Sequence, residues 1–257
     1  LPCSSGRGMF GLNAGGSASG TGANAGEDVL VRAGTTATLA NVTAGDDLTV
    51  IAAGDITASG LVTTGAGPDG QTLGYNGNPS SIVRFGSVTS PADGSNIDLT
   101  STAGRIGANS ANAFDNLSAT AANIVTSTGA LQSGQATTIT GSGLALASIT
   151  AGTDIALTAN SGGISSTGAL AAGHDVSVSA IGTVNLSELD AGDDIRVNTG
   201  GALTIGGAYS YGTGVDNEGD GSNIVLSAGD TNVTHAEADN DFVADVASFT
   251  TGLNSLI

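Results

Sequence analysis

The sequence predicts an all-β chain wound as a single-stranded, right-handed parallel β-helix (a β-solenoid) of about 20 residues per coil. Three observations lead there. An Ala-Gly-x-Asp phrase recurs, apolar residues two apart follow it, and helix signals are nearly absent. The phrase opens AGEDVLVRAG at Ala25, AGDDLTVIAAG at Ala44, AGTDIALTAN at Ala151, AGHDVSVSA at Ala172 and AGDDIRVNTG at Ala191. Neighbouring starts lie 19, 21 and 19 residues apart (25 to 44, 151 to 172, 172 to 191). Asn-Ile-x-Leu at Asn96–Leu99 and Asn223–Leu226, each after Asp-Gly-Ser, is a degenerate copy, as is Asn123-Ile124-Val125-Thr126.

Each element follows from spacing. Val29 and Val31, Leu48 and Val50, Ile155 and Leu157, Val176 and Val178, and Ile195 and Val197 stand two apart, which places them on one face of a strand. Second alternations follow, as at Thr38–Val42 and Asp55–Ala58. Glycine, Asp and Asn punctuate the gaps and supply turn conformations. One such unit cannot bury a face alone, but stacked units share one core. Residues 1–24 read as a Gly/Ser-rich lead-in or first coil, and 25–257 as the β-helix. Excursions are expected at 64–94 and 206–222, which together hold all three tyrosines.

Composition narrows the function. Acidic residues number 23 against five basic ones, all arginine, for a net charge of −18. Such a chain cannot replace the counterions around a phosphate backbone, which excludes nucleic acid as a partner. It also disfavours docking on an anionic membrane. No apolar run reaches the roughly 18 residues of a membrane span. Recurrent short alternations at only 11% charged residues argue against disorder. The single cysteine, Cys3, allows no internal disulfide, and the start at Leu1 without Met reads as a processed product or a piece of something longer.

AGDDLTVIAAGDITASG, AGTDIALTANSGGISSTGALAAGHDVSVSA and AGDDIRVNTGGALTIGG resemble the repeats of filamentous haemagglutinin-like exoproteins of Gram-negative bacteria. The resemblance covers residues about 25–63 and 95–235, and it implies the β-helical shaft of a secreted or surface-held fibre. The amino-terminal secretion motifs of two-partner-secreted members have no convincing match here, so the similarity is to shaft rather than secretion cap.

Several residues are candidates for chemistry. The aspartates closing the phrase (Asp28, Asp47, Asp154, Asp175, Asp194) should stack in columns. Their structural reading is as acceptors for turn N–H groups; their functional reading is a ladder of calcium or another hard cation. The doubled acids Asp46-Asp47 and Asp193-Asp194 are the first places to look for the ion. Asp216, Glu218 and Asp220 form the opening half of a calcium loop, although the closing Glu is replaced by Ser227. Tyr75, Phe85, Tyr209 and Tyr211 in the excursions are the candidate ligand contacts, because loops on a rigid scaffold carry binding and tyrosine is a favoured contact residue. His174 and His235 stand 61 apart and give no metal signature.

Catalysis gains no specific signal. The expected function is therefore a non-enzymatic extracellular adhesive or matrix shaft, with a host or matrix glycan or protein as partner. The alternative is a filament subunit that stacks end to end on copies of itself, and the second alternative is a glycan-active β-helix enzyme.

Overall fold

The computed structural model describes residues 4–5, 10–65, 94–212 and 221–251. The chain divides into two compact units, Leu1–Ala122 and Asn123–Ile257. Each is a parallel β-solenoid, and no helix occurs among the described residues.

In the first unit, one wall stacks Phe10–Ala14, Val29–Ala33, Leu48–Ala52, Ile97–Ser101 and Leu117–Ala121, all parallel. The repeat is visible as register: Phe10 lies beside Val29, 19 positions on, and Val29 beside Leu48, again 19 on. Leu48 then pairs with Ile97, a step of 49, because residues 64–94 are inserted without breaking the stack. The remaining walls come from the long strands Ala37–Ala44 and Ile56–Thr63, each turned at one left-handed residue. Gly22, Asn41 and Gly60 hold that corner at φ 69°, 52° and 60°. They stand 19 residues apart, so the bend is itself stacked.

The second unit repeats the plan. Thr137–Gly141, Ile155–Ala159, Val176–Ala180 and Ile195–Thr199 form one wall, continued by Ile224–Ala238 and Phe242–Thr251. Ile195 pairs with Ile224, a step of 29 that spans the second insertion.

Inward residues stack as columns: Val29, Leu48, Ile97 and Leu117 in one unit, Ile155, Val176, Ile195 and Ile224 in the other, each 2% exposed or less. Burying an aliphatic side chain of this size stabilises by about 1.5–3 kcal/mol. Parallel sheets are ordinarily covered on both faces and read as continuous apolar runs. Here the outer face meets solvent, so strands such as Val176–Ala180 alternate strictly between buried and exposed. That alternation made the fold legible.

One boundary is corrected. Leu203–Ser210 is a regular strand, in register with Val184–Ala191 before it and Thr231–Ala238 after it. Residues 206–210 are therefore wall, and the second excursion begins only after Ser210. Residues 10–25 likewise carry strands that pair with the following coil.

Candidate functional site

The Ala-Gly-x-Asp phrase folds into a corner, and each position has a physical reason. The alanines point inward: Ala25, Ala44, Ala151, Ala172 and Ala191 are all buried. The glycine lets two coils touch. A Cβ on Gly45 would sit 2.0 Å from the Gly26 carbonyl oxygen, and one on Gly173 would sit 2.1 Å from that of Gly152. The variable residue is half-buried at Glu27, Thr153 and His174 and buried at Asp46 and Asp193; the His174 N–H donates to Thr153 O at 2.8 Å.

The aspartate ties coil to coil. Asp28 Oδ1 accepts from Asp47 N at 3.3 Å, and Asp47 Oδ1 accepts from Asn96 N at 3.0 Å. In the second unit Asp154 Oδ1 accepts from Asp175 N at 3.3 Å, Asp175 Oδ1 from Asp194 N at 3.0 Å, and Asp194 Oδ1 from Asn223 N at 2.8 Å. Each of these N–H donors is a charge-assisted partner that offsets repulsion between neighbouring carboxylates in the column.

The doubled acids have a distinct role. Asp46 is fully buried and Asp193 is 6% exposed. Ser95 Oγ donates to Asp46 Oδ1 at 3.0 Å, and Ser222 Oγ donates to Asp193 Oδ1 at 3.1 Å. Both serines belong to Asp-Gly-Ser-Asn-Ile, the sequence by which the chain returns from an excursion. In both, the asparagine folds back on the glycine: Asn96 Nδ2 donates to Gly94 O at 2.9 Å, Asn223 Nδ2 to Gly221 O at 2.6 Å. Both glycines have positive φ, 96° and 81°. A paired acid in the corner is thus the latch that receives a returning chain.

Carboxylate oxygens of Asp28, Asp46 and Asp47 lie within 4.8 Å of one another. Calcium takes six to eight oxygens, and one oxygen of each of these carboxylates, Oδ1, already accepts from a donor of the next coil. Asp193 and Asp194 stand in the same setting, with an added contact from Arg196 Nη2 to Asp194 Oδ2 at 2.6 Å. Asp216, Glu218 and Asp220 lie outside the described residues, as do Tyr75 and Phe85.

The structure brings the remaining two candidates together. Tyr209 and Tyr211 stack with ring centroids 6.0 Å apart and planes 4° from parallel. Tyr209 is on the wall, not on a loop as its sequence neighbours suggested. Three consecutive coils meet there: Glu188, Gly207 and His235 form one outward column, and Asp190, Tyr209 and Glu237 the next. The Tyr209 ring lies across Gly207, where a Cβ would come 2.7 Å from its Cε2. It also packs on His235, centroids 5.4 Å apart, whose Nε2 is 2.8 Å from Glu237 Oε1. Beside Tyr211, which is 52% exposed, a shallow pocket of about 310 Å³ is bounded by Ser210, Glu237, Ala238 and Asp239.

Electrostatics at this face are one-sided. Burial, then a hydrogen bond and repulsion from Glu188, push the Asp190 carboxyl up to about 6. Both tyrosine hydroxyls are raised, first by burial and then by Glu188, Asp190 and Glu237. Glu188, Asp190, His235 and Glu237 were not among the residues expected at a site. The signal was present as charged residues flanking a buried one, in Glu188-Leu189-Asp190 and His235-Ala236-Glu237.

No family model, no curated protein and no solved structure matches the chain. The likeness to filamentous haemagglutinin-like repeats therefore rests on the residues quoted for it, and the chain is, at the coarser level its architecture establishes, a parallel β-solenoid repeat protein.

Proposed function

We propose that this chain is a non-catalytic, extracellular structural and adhesive shaft segment of a Gram-negative bacterial surface or secreted fibre, with a lateral face that contacts a glycan. The observation that carries the reading is the parallel stacking of Tyr211, just past the end of its strand, on Tyr209, which stands on a wall built from three stacked coils. A strand in register on both sides holds its outward side chains with little conformational freedom, so aromatic surface is presented at low entropic cost. Flat rings beside hydrogen-bonding carboxylates suit the apolar face and hydroxyl rim of a pyranose.

One observation favours a second reading, a glycan hydrolase: Asp190 holds its proton to about pH 6 beside Glu188, as a general acid would. Against it, these two carboxyls are bonded to one another. Glycosidases keep their pair about 5–9.5 Å apart so that the scissile bond lies between them.

The test is retention of the purified chain on a panel of immobilised neutral, acidic and amino polysaccharides, with reducing-end release measured in parallel. Retention on at least one polysaccharide, lost in Tyr209→Ala/Tyr211→Ala and without release of ends, is the expected result. Absence of retention on every surface overturns the adhesive reading. Release abolished by Asp190→Asn replaces it with the hydrolase.

A further inference from the structure

We infer that the Tyr209–Tyr211 face selects a saccharide bearing a free amine, with the rings stacking on the sugar and the carboxylates on either side of Tyr209, Glu188 with Asp190 on one and Glu237 on the other, receiving ammonium groups. The ligand class depends on the adhesive role proposed above for the same face.

Charge is the first argument. The two outward columns place Glu188 and Asp190 on one coil and Glu237 two coils on, with Tyr209 on the coil between, and the one basic side chain among their described members, His235, already contacts Glu237. Asp239 adds a fourth carboxyl at the rim of the pocket beside Tyr211. The whole chain carries −18 and no lysine, so a sulfated or uronic polysaccharide would approach against a repulsive field.

Ring geometry is the second. An ammonium group beside the faces of tyrosine is attracted by the ring quadrupole as well as by the carboxylates. A bare polyamine would satisfy the charge but leave the parallel rings without an apolar plane to cover. A pyranose with an amino substituent satisfies both. Gly207 is the element that permits the arrangement, because any larger residue displaces the Tyr209 ring.

Calorimetric titration with a glucosamine hexasaccharide and with its fully N-acetylated counterpart tests the inference at neutral pH. The amine form is expected to bind about two- to fivefold more tightly, the range that partly exposed charge contacts support. Glu188→Gln/Asp190→Asn should lower that ratio, and adding Glu237→Gln should bring it to about one, because the preference acts through charge. Tyr211→Ala should weaken both sugars by about tenfold, since stacking is common to them. A ratio near one in the native chain, or one that survives the triple carboxylate variant, overturns the amine preference and leaves the aromatic face standing. Unchanged binding of both sugars in Tyr209→Ala/Tyr211→Ala overturns the adhesive face itself, and absence of binding to either sugar overturns the amino-sugar assignment.

Discussion

Ser95 reaches back 49 residues to donate its hydroxyl to Asp46 at 3.0 Å, and Ser222 does the same to Asp193 across 29 residues at 3.1 Å. The two pairs lie in different units, yet each occurs where an insertion rejoins the stack. Removing the serine leaves a buried carboxylate short of a donor, which costs about 1–3 kcal/mol. Ser95→Ala and Ser222→Ala should therefore lower the denaturation midpoint of their own units. Ser177→Ala, an exposed serine on a regular wall, should change stability by less than about 0.5 kcal/mol. A double-mutant cycle of Ser95→Ala with Asp46→Ala should be clearly non-additive, and additivity would dismiss the latch.

The corner glycines make a sharper prediction. Gly173→Ala directs a methyl group at a carbonyl oxygen 2.1 Å away in the preceding coil, and backbone cannot rotate aside as a side chain can. The coils must separate, breaking neighbouring hydrogen bonds such as His174 N to Thr153 O. Its unit should lose several kcal/mol, beyond the common range of about 0.5–3 kcal/mol for single substitutions. His174→Ala, one position on, should be near neutral by the same chemical denaturation.

Asn41 sits between Gly22 and Gly60 in the left-handed column, with φ 52°. Asparagine tolerates this region better than other residues with a Cβ. Asn41→Gly should be neutral to within a few tenths of a kcal/mol, whereas Asn41→Ala should cost about 1 kcal/mol and Asn41→Val more. Thermal melts of the three variants check the order; an equal effect of Gly and Val would mean that the side chain's contacts, not φ, decide.

Much of this was readable in the sequence because stacking imposes the same demand at every coil. The alternation at Val176 and Val178 and the spacing from Ala172 to Ala191 report strand and coil directly. Tyr209 was misplaced for a local reason. Gly206-Gly207 reads as a turn, but each glycine makes room for a neighbour: a Cβ on Gly206 would meet Ser187 O at 2.3 Å, and one on Gly207 the Tyr209 ring. Steric absence and turn propensity use the same residue, and one sequence does not distinguish them. The partnership of Asp46 with Ser95 was hidden differently, since a hydrogen bond across an insertion leaves no fixed spacing to detect.

The Asp190 carboxyl gives the face a pH signature of known sign. Its pKa rises from 3.8 to about 6 in the folded chain, through burial first and then through Glu188. Ala171 and Tyr209 flank it in its own column, with Glu237 beyond Tyr209; Tyr211 stacks on Tyr209, and His235 packs on the same ring. A raised pKa means that the folded state binds the proton more tightly than the unfolded chain. This group's contribution is therefore present at low pH and is lost as pH rises through about 6. Asp190→Asn removes both the titration and the charge facing Glu188. The melting temperature of the variant relative to the native chain should be highest above about pH 7 and should fall as pH drops towards about 4. Parallel melting curves across that window would mean that Asp190 titrates as an ordinary exposed carboxyl.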